Sequence, residues 1–165
     1  MAQRFEELIL PHIDAAYNLA RYMMRDAAAA DDVVQEAFLR AYRSFSGYRG
    51  GDPKSWVLAI VRNCCSSFHA ATAKDRVAAP LDLNSVEDSR HDTPEQAVLR
   101  QSEVDAVRAL IVALPEPFRE ALVLRELEDL SYKQIAQVTG VPVGTVMSRL
   151  ARARQMLRDG AEAIR

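Results

Sequence analysis

Features typical of secreted, membrane-spanning or metal-bound proteins are scarce in this sequence. Its two cysteines, Cys64 and Cys65, are adjacent, and neighbouring residues rarely form a disulfide. There is no CxxC pair and no histidine–cysteine spacing of the kind that binds zinc. No apolar run approaches the roughly 18 residues that a membrane span needs, and residues 1–10 lack the basic start of a signal peptide. We therefore expect a cytoplasmic chain with reduced thiols, no bound metal and no direct insertion into a membrane.

Sequence motifs of enzymes are also missing. The chain has no glycine-rich phosphate loop, no paired catalytic carboxylates and no grouping of cysteine with histidine. The neighbouring acids Asp31 and Asp32 are of a type that can bind a metal, but they fall in the first turn of a predicted helix, where the helix dipole favours negative charge. We therefore predict a protein that is not an enzyme, with no cofactor and no small-molecule substrate.

Glycine and proline are few, six and seven in 165 residues, whereas apolar residues make up 49% of the chain. Most glycines and prolines lie between segments whose apolar residues recur at helical spacing. Helices are predicted over residues 4–24, 30–45 and 53–73, and Asp52 is the expected cap of the third. This pattern predicts an all-α fold.

The chain divides into two small helical domains joined by a flexible linker. The first domain covers residues 1–73, and residues 74–93 are polar, acidic and aperiodic, which is typical of a linker. The second domain covers residues 94–165. Its first helix is expected to bury an apolar stripe that includes Val104 and Val107.

Two short predicted helices joined by a turn at Gly140 form a helix-turn-helix signature in the second domain. Ser131 and Gln134 have the spacing of a capping box, and Gly140 permits the positive φ that such a turn needs. Val146 and Leu150 are placed to pack the second helix against the first. Its outer face carries hydroxyls and guanidiniums, which are the groups that bind phosphates and guanine edges. These outer residues are Thr145, Ser148, Arg149, Arg152 and Arg154.

The net charge of −2 hides a change of sign along the chain. Residues 101–130 carry three basic and seven acidic side chains, whereas residues 131–165 carry six basic and two acidic ones. Charged helix faces often do no more than face solvent. Here the basic segment coincides with the helix-turn-helix and follows directly on an acidic one, which favours DNA binding.

The order of these segments resembles the extracytoplasmic-function (ECF) sigma factors of bacterial RNA polymerase. The matching segments are DDVVQEAFLRAYRSF, DPKSWVLAIVRN and LPEPFREALVLRELEDLSYKQIAQVTGVPVGTVMSRLARAR. The resemblance covers nearly all of the chain except the linker. The last segment alone would also fit the output domain of a response regulator, but the first two would not. The resemblance implies a sigma factor that binds core RNA polymerase and promoter DNA and directs promoter-specific transcription initiation.

The resemblance also implies that residues 1–73 correspond to sigma region 2 and residues 94–165 to sigma region 4. It places the surface that docks on core polymerase on the predicted helix over residues 30–45. The implied docking residues are Asp32, Gln35, Glu36, Phe38 and Arg40. A structural role is the alternative, because Phe38 lies on the apolar stripe and the polar residues can simply face solvent.

Recognition of the promoter's minus-ten element is assigned by the resemblance to the loop over residues 45–52 and the helix after it. Promoter opening takes a base out of the stack and holds single-stranded DNA with aromatic and basic groups. The implied residues are Tyr48, Arg49, Lys54, Trp56, Arg62 and Asn63. For Asn63 the alternative is a surface polar residue. Housekeeping sigma factors have two adjacent tryptophans here, whereas this chain has Trp56 and Val57, which predicts weaker promoter melting.

For the minus-thirty-five element, the resemblance places Ser148, Arg149 and Arg152 in the major groove. Many relatives carry a basic residue where this chain has Met147, so one DNA contact is expected to be missing. The promoter sequence itself does not follow from these residues.

Regulation by a protein partner is a further implication of the resemblance. Such sigma factors are commonly held inactive by an anti-sigma protein, often membrane-bound, that clamps between the two domains. An anti-sigma partner is therefore expected, and the apolar residues 77–83 are expected to be one of its contacts. If that partner is bound to the membrane, it would hold the chain at the inner membrane.

The alternative function is a free-standing helix-turn-helix regulator. That protein would need a symmetric dimer, and the sequence shows no coiled-coil heptads and a single recognition helix.

Overall fold

The computed structural model describes the backbone of residues 1–76 and 95–164, and the side chains of residues 1–73 and 102–164. All regular structure in these stretches is helical, which confirms the all-α fold class. The first three residues of the predicted linker belong to the end of a helix. The rest of the linker, including its apolar cluster, lies outside the described residues.

Residues 1–76 fold into four helices joined by short turns. The helices are α1 (Ala2–Leu8), α2 (Ile13–Met23), α3 (Ala27–Ser44) and α4 (Pro53–Arg76). The continuous helix predicted over residues 4–24 is therefore wrong. Pro11 has no backbone N–H and its ring clashes with the preceding turn, so a 3₁₀ turn over Leu10–His12 separates α1 from α2.

Residues 95–164 contain four further helices. They are α5 (Glu95–Val112), α6 (Glu116–Leu122), α7 (Tyr132–Thr139) and α8 (Val143–Ile164). A wider π turn over Val123–Leu127 continues α6. Helix α8 packs against α6 and α7, so the predicted helix-turn-helix is formed by α7 and α8 with α6 behind them.

Helix α5 is less buried than its apolar sequence predicts. Val104 and Val107 expose 52% and 55% of their surface, so the expectation that both are buried is wrong. Ile111 is buried near the end of the helix, where α5 meets α8 and α2. The approach to α8 is close, because a Cβ added at Gly160 would lie 2.8 Å from Leu110 Cδ2. Among the described side chains, the stripe is covered where α5 ends and left open nearer its start.

One buried apolar cluster spans both halves of the chain. Helix α2 packs against α6, and α4 packs against α7. Leu58 and Val61 of α4 are fully buried in this cluster together with Leu124 and with Ile135 of α7. The two halves are therefore packed against each other in the structure.

The start of the helix-turn-helix has the local geometry that the sequence predicts. The Ser131 hydroxyl accepts a hydrogen bond from the Gln134 backbone N–H (3.1 Å), and the Gln134 side chain accepts one from the Ser131 N–H (2.8 Å). At the end of α7, Gly140 has φ of 74° and donates its N–H to the Ala136 carbonyl at 2.9 Å. This residue lets α7 stop and α8 start at the required angle.

Replacing Gly140 with alanine is expected to lower the free energy of unfolding by roughly 1–2 kcal/mol, because a Cβ is disfavoured in the left-handed region. Urea unfolding followed by circular dichroism measures the change. The control is Gly144→Ala in the first turn of α8, where φ is not positive and no atom lies within 4 Å of the added Cβ. That control should be neutral or slightly stabilising. Equal losses for both variants would contradict the role given to Gly140.

Candidate nucleic-acid interface

The second helix of the helix-turn-helix, α8, is held by a narrow buried stripe. Val146, Leu150 and Ala153 are each no more than 1% exposed, and they lie on the face that packs against α6 and α7. Their spacing of four and three residues keeps one side of α8 buried and leaves the opposite side to solvent.

The five candidate minus-thirty-five residues do not share one environment. Ser148 and Arg152 are exposed, whereas Thr145, Arg149 and Arg154 are half-buried. The guanidinium of Arg154 pairs with the carboxylate of Glu126 at 2.9 Å. Ser148 and Arg152 are therefore the side chains most open to DNA, and Arg154 already has an acidic partner within its own half of the chain.

The loop between α3 and α4 rests on a cluster of aromatic rings. Phe45 is buried and stacks on Tyr48 with ring centres 5.6 Å apart, and Tyr48 meets Trp56 edge to face at 5.3 Å. Phe5 of α1 packs edge to face against Phe45 at 5.4 Å. The Tyr48 hydroxyl donates a hydrogen bond to the Gly51 carbonyl at 2.7 Å, which fixes the loop to the cluster. Two of the predicted minus-ten residues, Tyr48 and Trp56, thus form part of a rigid aromatic platform.

The cap of α4 is the predicted one. Asp52 accepts hydrogen bonds from the backbone N–H and the hydroxyl of Ser55 at 3.1 and 2.5 Å. Burial by itself would raise the pKa of the Asp52 carboxyl, but the bonds from Ser55 and from the Lys54 backbone outweigh it and lower that pKa. Asp52 is therefore charged at neutral pH, as an N-cap at the positive end of a helix should be.

The non-aromatic residues predicted to bind the minus-ten element, three basic ones and one amide, fall into two groups. Arg49 and Asn63 are exposed. Lys54 and Arg62, by contrast, are half-buried and face acidic residues of the second half of the chain. The Lys54 ammonium lies 3.3 Å from the Glu128 carboxylate, and the Arg62 guanidinium lies 2.7 Å from the Glu120 carboxylate. The sequence gives no signal for these pairs, because their members lie 74 and 58 residues apart.

Both acids in these pairs are almost fully buried. Glu128 is 5% exposed and also accepts a hydrogen bond from the Asn18 amide at 3.1 Å. Glu120 is 3% exposed, and burial raises the pKa of its carboxyl although the Arg62 guanidinium opposes the change. A buried carboxylate is stable only when it is paired, so each acid depends on the contact with the first half of the chain.

The predicted polymerase-docking surface lies along the exposed side of α3. Asp32, Gln35, Glu36 and Arg40 are exposed, and Glu36 pairs with Arg40 at 2.9 Å. Phe38 is instead half-buried and packs against two apolar clusters, the one shared by the two halves and a second one within the first half.

Two apolar residues on the same helix have the exposure that a protein contact requires. Leu39 and Tyr42 expose 52% and 44% of their surface. Helical spacing places Tyr42 on the apolar stripe, four residues after Phe38, so its exposure differs from what the sequence predicts. Leu39 lies one step off the stripe, and its signal is that a large apolar side chain follows Phe38 directly.

The two thiols are buried structural groups. Cys64 and Cys65 are 4% and 1% exposed, and burial raises the pKa of both, to about 12 for Cys65. Both therefore stay protonated at neutral pH, and a protonated thiol is a poor nucleophile.

Within the part of the chain that the structure describes, no group of three metal-ligating side chains occurs. No helix in that part is long and apolar enough to cross a membrane.

We expect neither thiol of the native protein to react with Ellman's reagent at neutral pH. Unfolding in urea should release both, because it removes the burial that raises the pKa of each. The absorbance of the released thiolate measures the count before and after unfolding. Rapid reaction of one thiol in the native state would show that the helix α4 region opens readily or that one cysteine has a redox role.

Comparison with known proteins gives a consistent set of matches. Residues 8–74 match the family described as Sigma-70 region 2, and residues 105–157 match Sigma-70, region 4. The chain is 36% identical to the ECF RNA polymerase sigma factor SigE of Mycolicibacterium smegmatis, over 94% of this chain and 60% of that protein. It is 35% identical to the RNA polymerase sigma-H factor of Pseudomonas aeruginosa, over 93% of this chain and 83% of that protein.

Two solved structures share the fold. The first is the sigma factor RpoE in complex with the anti-sigma factor NepR from Bartonella quintana, with a TM-score of 0.75 and 21% identity over 99% of both chains. The second is CnrH in complex with the cytosolic domain of CnrY, with a TM-score of 0.69 and 23% identity over 99% of this chain and 90% of that one. At these identities the likeness concerns the fold alone.

Proposed function

Because this chain belongs to the ECF RNA polymerase sigma factors, we propose that it binds core RNA polymerase and directs promoter-specific transcription initiation. It acts as a DNA-binding subunit in the cytoplasm and is not an enzyme. The observation that carries the proposal is the presence, in one chain, of a region 2 match with an aromatic loop platform and a region 4 match with a packed helix-turn-helix.

In this proposal, residues 1–73 act as region 2 and recognise the minus-ten element. The edge-to-face pair of Tyr48 and Trp56 offers faces on which unpaired bases can stack, and the exposed Arg49 and Asn63 add a cation and an amide to the same half of the chain. Lys54 and Arg62 add two further cations once they are free of their acidic partners.

Residues 94–165 act as region 4 and recognise the minus-thirty-five element, with residues 74–93 as the linker between them. Ser148 and Arg152 are exposed on α8 and enter the major groove, where hydroxyl and guanidinium groups can read base edges. Arg149 supports them from a half-buried position, and Thr145 and Arg154 lie at the edge of this surface.

Core polymerase docks on the outer side of α3. The polar contacts come from Asp32, Gln35, Glu36 and Arg40. Leu39 and Tyr42 add the exposed apolar surface that protein interfaces use, while Phe38 holds the helix in place from beneath.

A subunit role also agrees with the small DNA-binding surface of each half. A module with about 3–4 phosphate contacts binds DNA non-specifically at only ~10⁻⁴–10⁻⁶ M in physiological salt. A large scaffold that fixes the spacing of the two modules would raise the affinity of the pair for DNA.

An anti-sigma protein is the expected regulator, as in the complex of the structural relative RpoE with NepR. If that regulator is membrane-bound, it would hold the chain at the membrane.

The test is multi-round transcription by purified core polymerase on the promoter of the chain's own operon. Adding the chain should produce a discrete transcript. The triple variant Asp32→Ala, Gln35→Ala and Leu39→Ala should abolish it, because these exposed residues lie on the docking side of α3. The control is Gln3→Ala, which alters an exposed residue of α1.

Sizing of the free chain by light scattering accompanies the transcription test. A monomer that co-elutes with core polymerase supports the proposal. Absence of both the transcript and the co-elution, together with a stable dimer, would favour the free-standing helix-turn-helix regulator.

A further inference from the structure

The contact between the two halves of the chain has polar side chains as well as the shared apolar cluster. Several of these polar side chains form hydrogen bonds from one half to the other. The Lys54 ammonium donates to the Glu128 backbone carbonyl (2.8 Å), and the Gln134 amide donates to the Asp52 carboxylate (2.9 Å). The Arg119 guanidinium donates to the Tyr22 carbonyl at 3.0 Å. These bonds join α4 and the end of α2 to α6, α7 and the turn between them.

Two cations in this contact, Lys54 and Arg62, are residues that the proposed function requires to bind DNA. Lys54 and Arg62 belong to the minus-ten set, and their partners Glu128 and Glu120 belong to the acidic stretch over residues 101–130. The positive charge of Arg149, from the minus-thirty-five set, also acts on Glu120. One buried carboxylate therefore lies within the influence of cations from both DNA-reading surfaces.

A guanidinium whose Nε bonds a carboxylate at 2.7 Å cannot offer the same donor to a phosphate. The side chains of Lys54 and Arg62 expose only 27% and 30% of their surface. DNA reaches them fully only when Glu128 and Glu120 move away. Since both acids lie in the half that shares the apolar cluster with α4, they leave together, as the two halves separate.

We propose that the two halves form a closed state in which Glu120 and Glu128 take the place of promoter DNA on Arg62 and Lys54. This intramolecular competition rests on the proposed function, because that function makes Lys54 and Arg62 DNA ligands. The acidic segment that precedes the helix-turn-helix is thus a built-in anionic competitor. The free chain binds DNA weakly until core polymerase or DNA itself selects the open state.

The experiment compares two pairs of charge-removing variants in the full chain. Glu120→Gln with Glu128→Gln removes the two acids of the contact while keeping their size. The control, Glu103→Gln with Glu162→Gln, removes the same charge from exposed positions of the same half. Dyes on Gln3→Cys and Gln155→Cys report the separation of the halves by energy transfer, and the buried native thiols leave these exposed positions to be labelled.

The contact variant should show lower energy transfer and bind a short fluorescent oligothymidine about tenfold more tightly than the control does. That ratio is expected if about one molecule in ten is open before the change, because apparent affinity scales with the open fraction. Equal affinity of the two variant pairs for oligothymidine would overturn the proposed competition between the two acids and DNA. Separation of the halves without tighter binding of oligothymidine would overturn it as well.

A second measurement needs no change at the contact. Oligothymidine added to the labelled chain with its native acids should lower energy transfer as it binds, since both ligands compete for the same cations. Binding with unchanged energy transfer would overturn the proposal even if the contact variant failed to fold. The transcription test stands apart from both readouts. A chain that opens and binds oligothymidine but yields no transcript would refute the sigma-factor function and leave the closed state in place.

Discussion

Replacing Leu150 with alanine is expected to lower the free energy of unfolding by about 2–5 kcal/mol. Leu150 is 1% exposed and lies at the centre of the stripe by which α8 packs against α6 and α7. Removing its side chain leaves a cavity that the surrounding helices fill only in part. Because the same stripe sets the angle at which Ser148 and Arg152 face outward, binding to a minus-thirty-five duplex should weaken as well. Urea unfolding and fluorescence anisotropy measure the two effects.

Met147→Ala is the matched control for Leu150. Met147 lies one turn earlier on α8 and exposes 52% of its surface. Its removal should change the free energy of unfolding by no more than about 0.5 kcal/mol, as is usual for surface positions. Similar losses for both variants would mean that α8 does not pack through Leu150.

Replacing Phe45 with alanine is expected to destabilise the protein by about 3–5 kcal/mol. The buried ring of Phe45 is the centre of the aromatic cluster and contacts Phe5, Tyr48 and Trp56. Its loss removes the support of the loop over residues 45–52, so promoter opening should fail even at temperatures where the variant remains folded. Trp56 is the single tryptophan of the chain, and its fluorescence reports the disturbance directly.

Phe68→Ala is the control for this variant, because Phe68 is a phenylalanine of the same half, on α4, that is 37% exposed. The loss of stability should be smaller in Phe68→Ala, since a partly exposed ring contributes less buried area to folding than a fully buried one. The Trp56 spectrum should shift in Phe45→Ala and stay unchanged in Phe68→Ala. A large loss in Phe68→Ala with none in Phe45→Ala would contradict the assignment of the aromatic cluster as the support of the loop.

Features that depend on neighbouring residues could be predicted from the sequence. The capping box of Ser131 and Gln134, the turn at Gly140 and the Asp52 cap each involve residues no more than a few positions apart. Their chemistry is complete within a short segment, so the segment determines the structure. The break at Pro11 was missed although its cause is equally local, because the apolar residues on either side keep helical spacing across it.

Features that depend on which surfaces meet could not be predicted in this way. The stripe of α5 has the same spacing at Val104 as at Ile111, yet Ile111 is buried and Val104 is exposed. Likewise Lys54 and Arg62 have the side chains of DNA ligands, and nothing near them in the chain indicates that Glu128 and Glu120 lie against them. Periodicity gives the buried face of a helix but not its partner, and the partner decides what a charged residue does.

The apolar cluster shared by the two halves has a consequence for how tightly the chain would load onto polymerase. If loading requires the halves to part, the free energy of polymerase binding first has to offset the cost of exposing buried apolar residues such as Leu58 and Ile135 to water. The measured dissociation constant would then understate the strength of the contacts made on α3. Substitutions inside the cluster, far from any polymerase or DNA surface, would tighten loading by loosening the free protein, so the most active variants need not be the most stable ones.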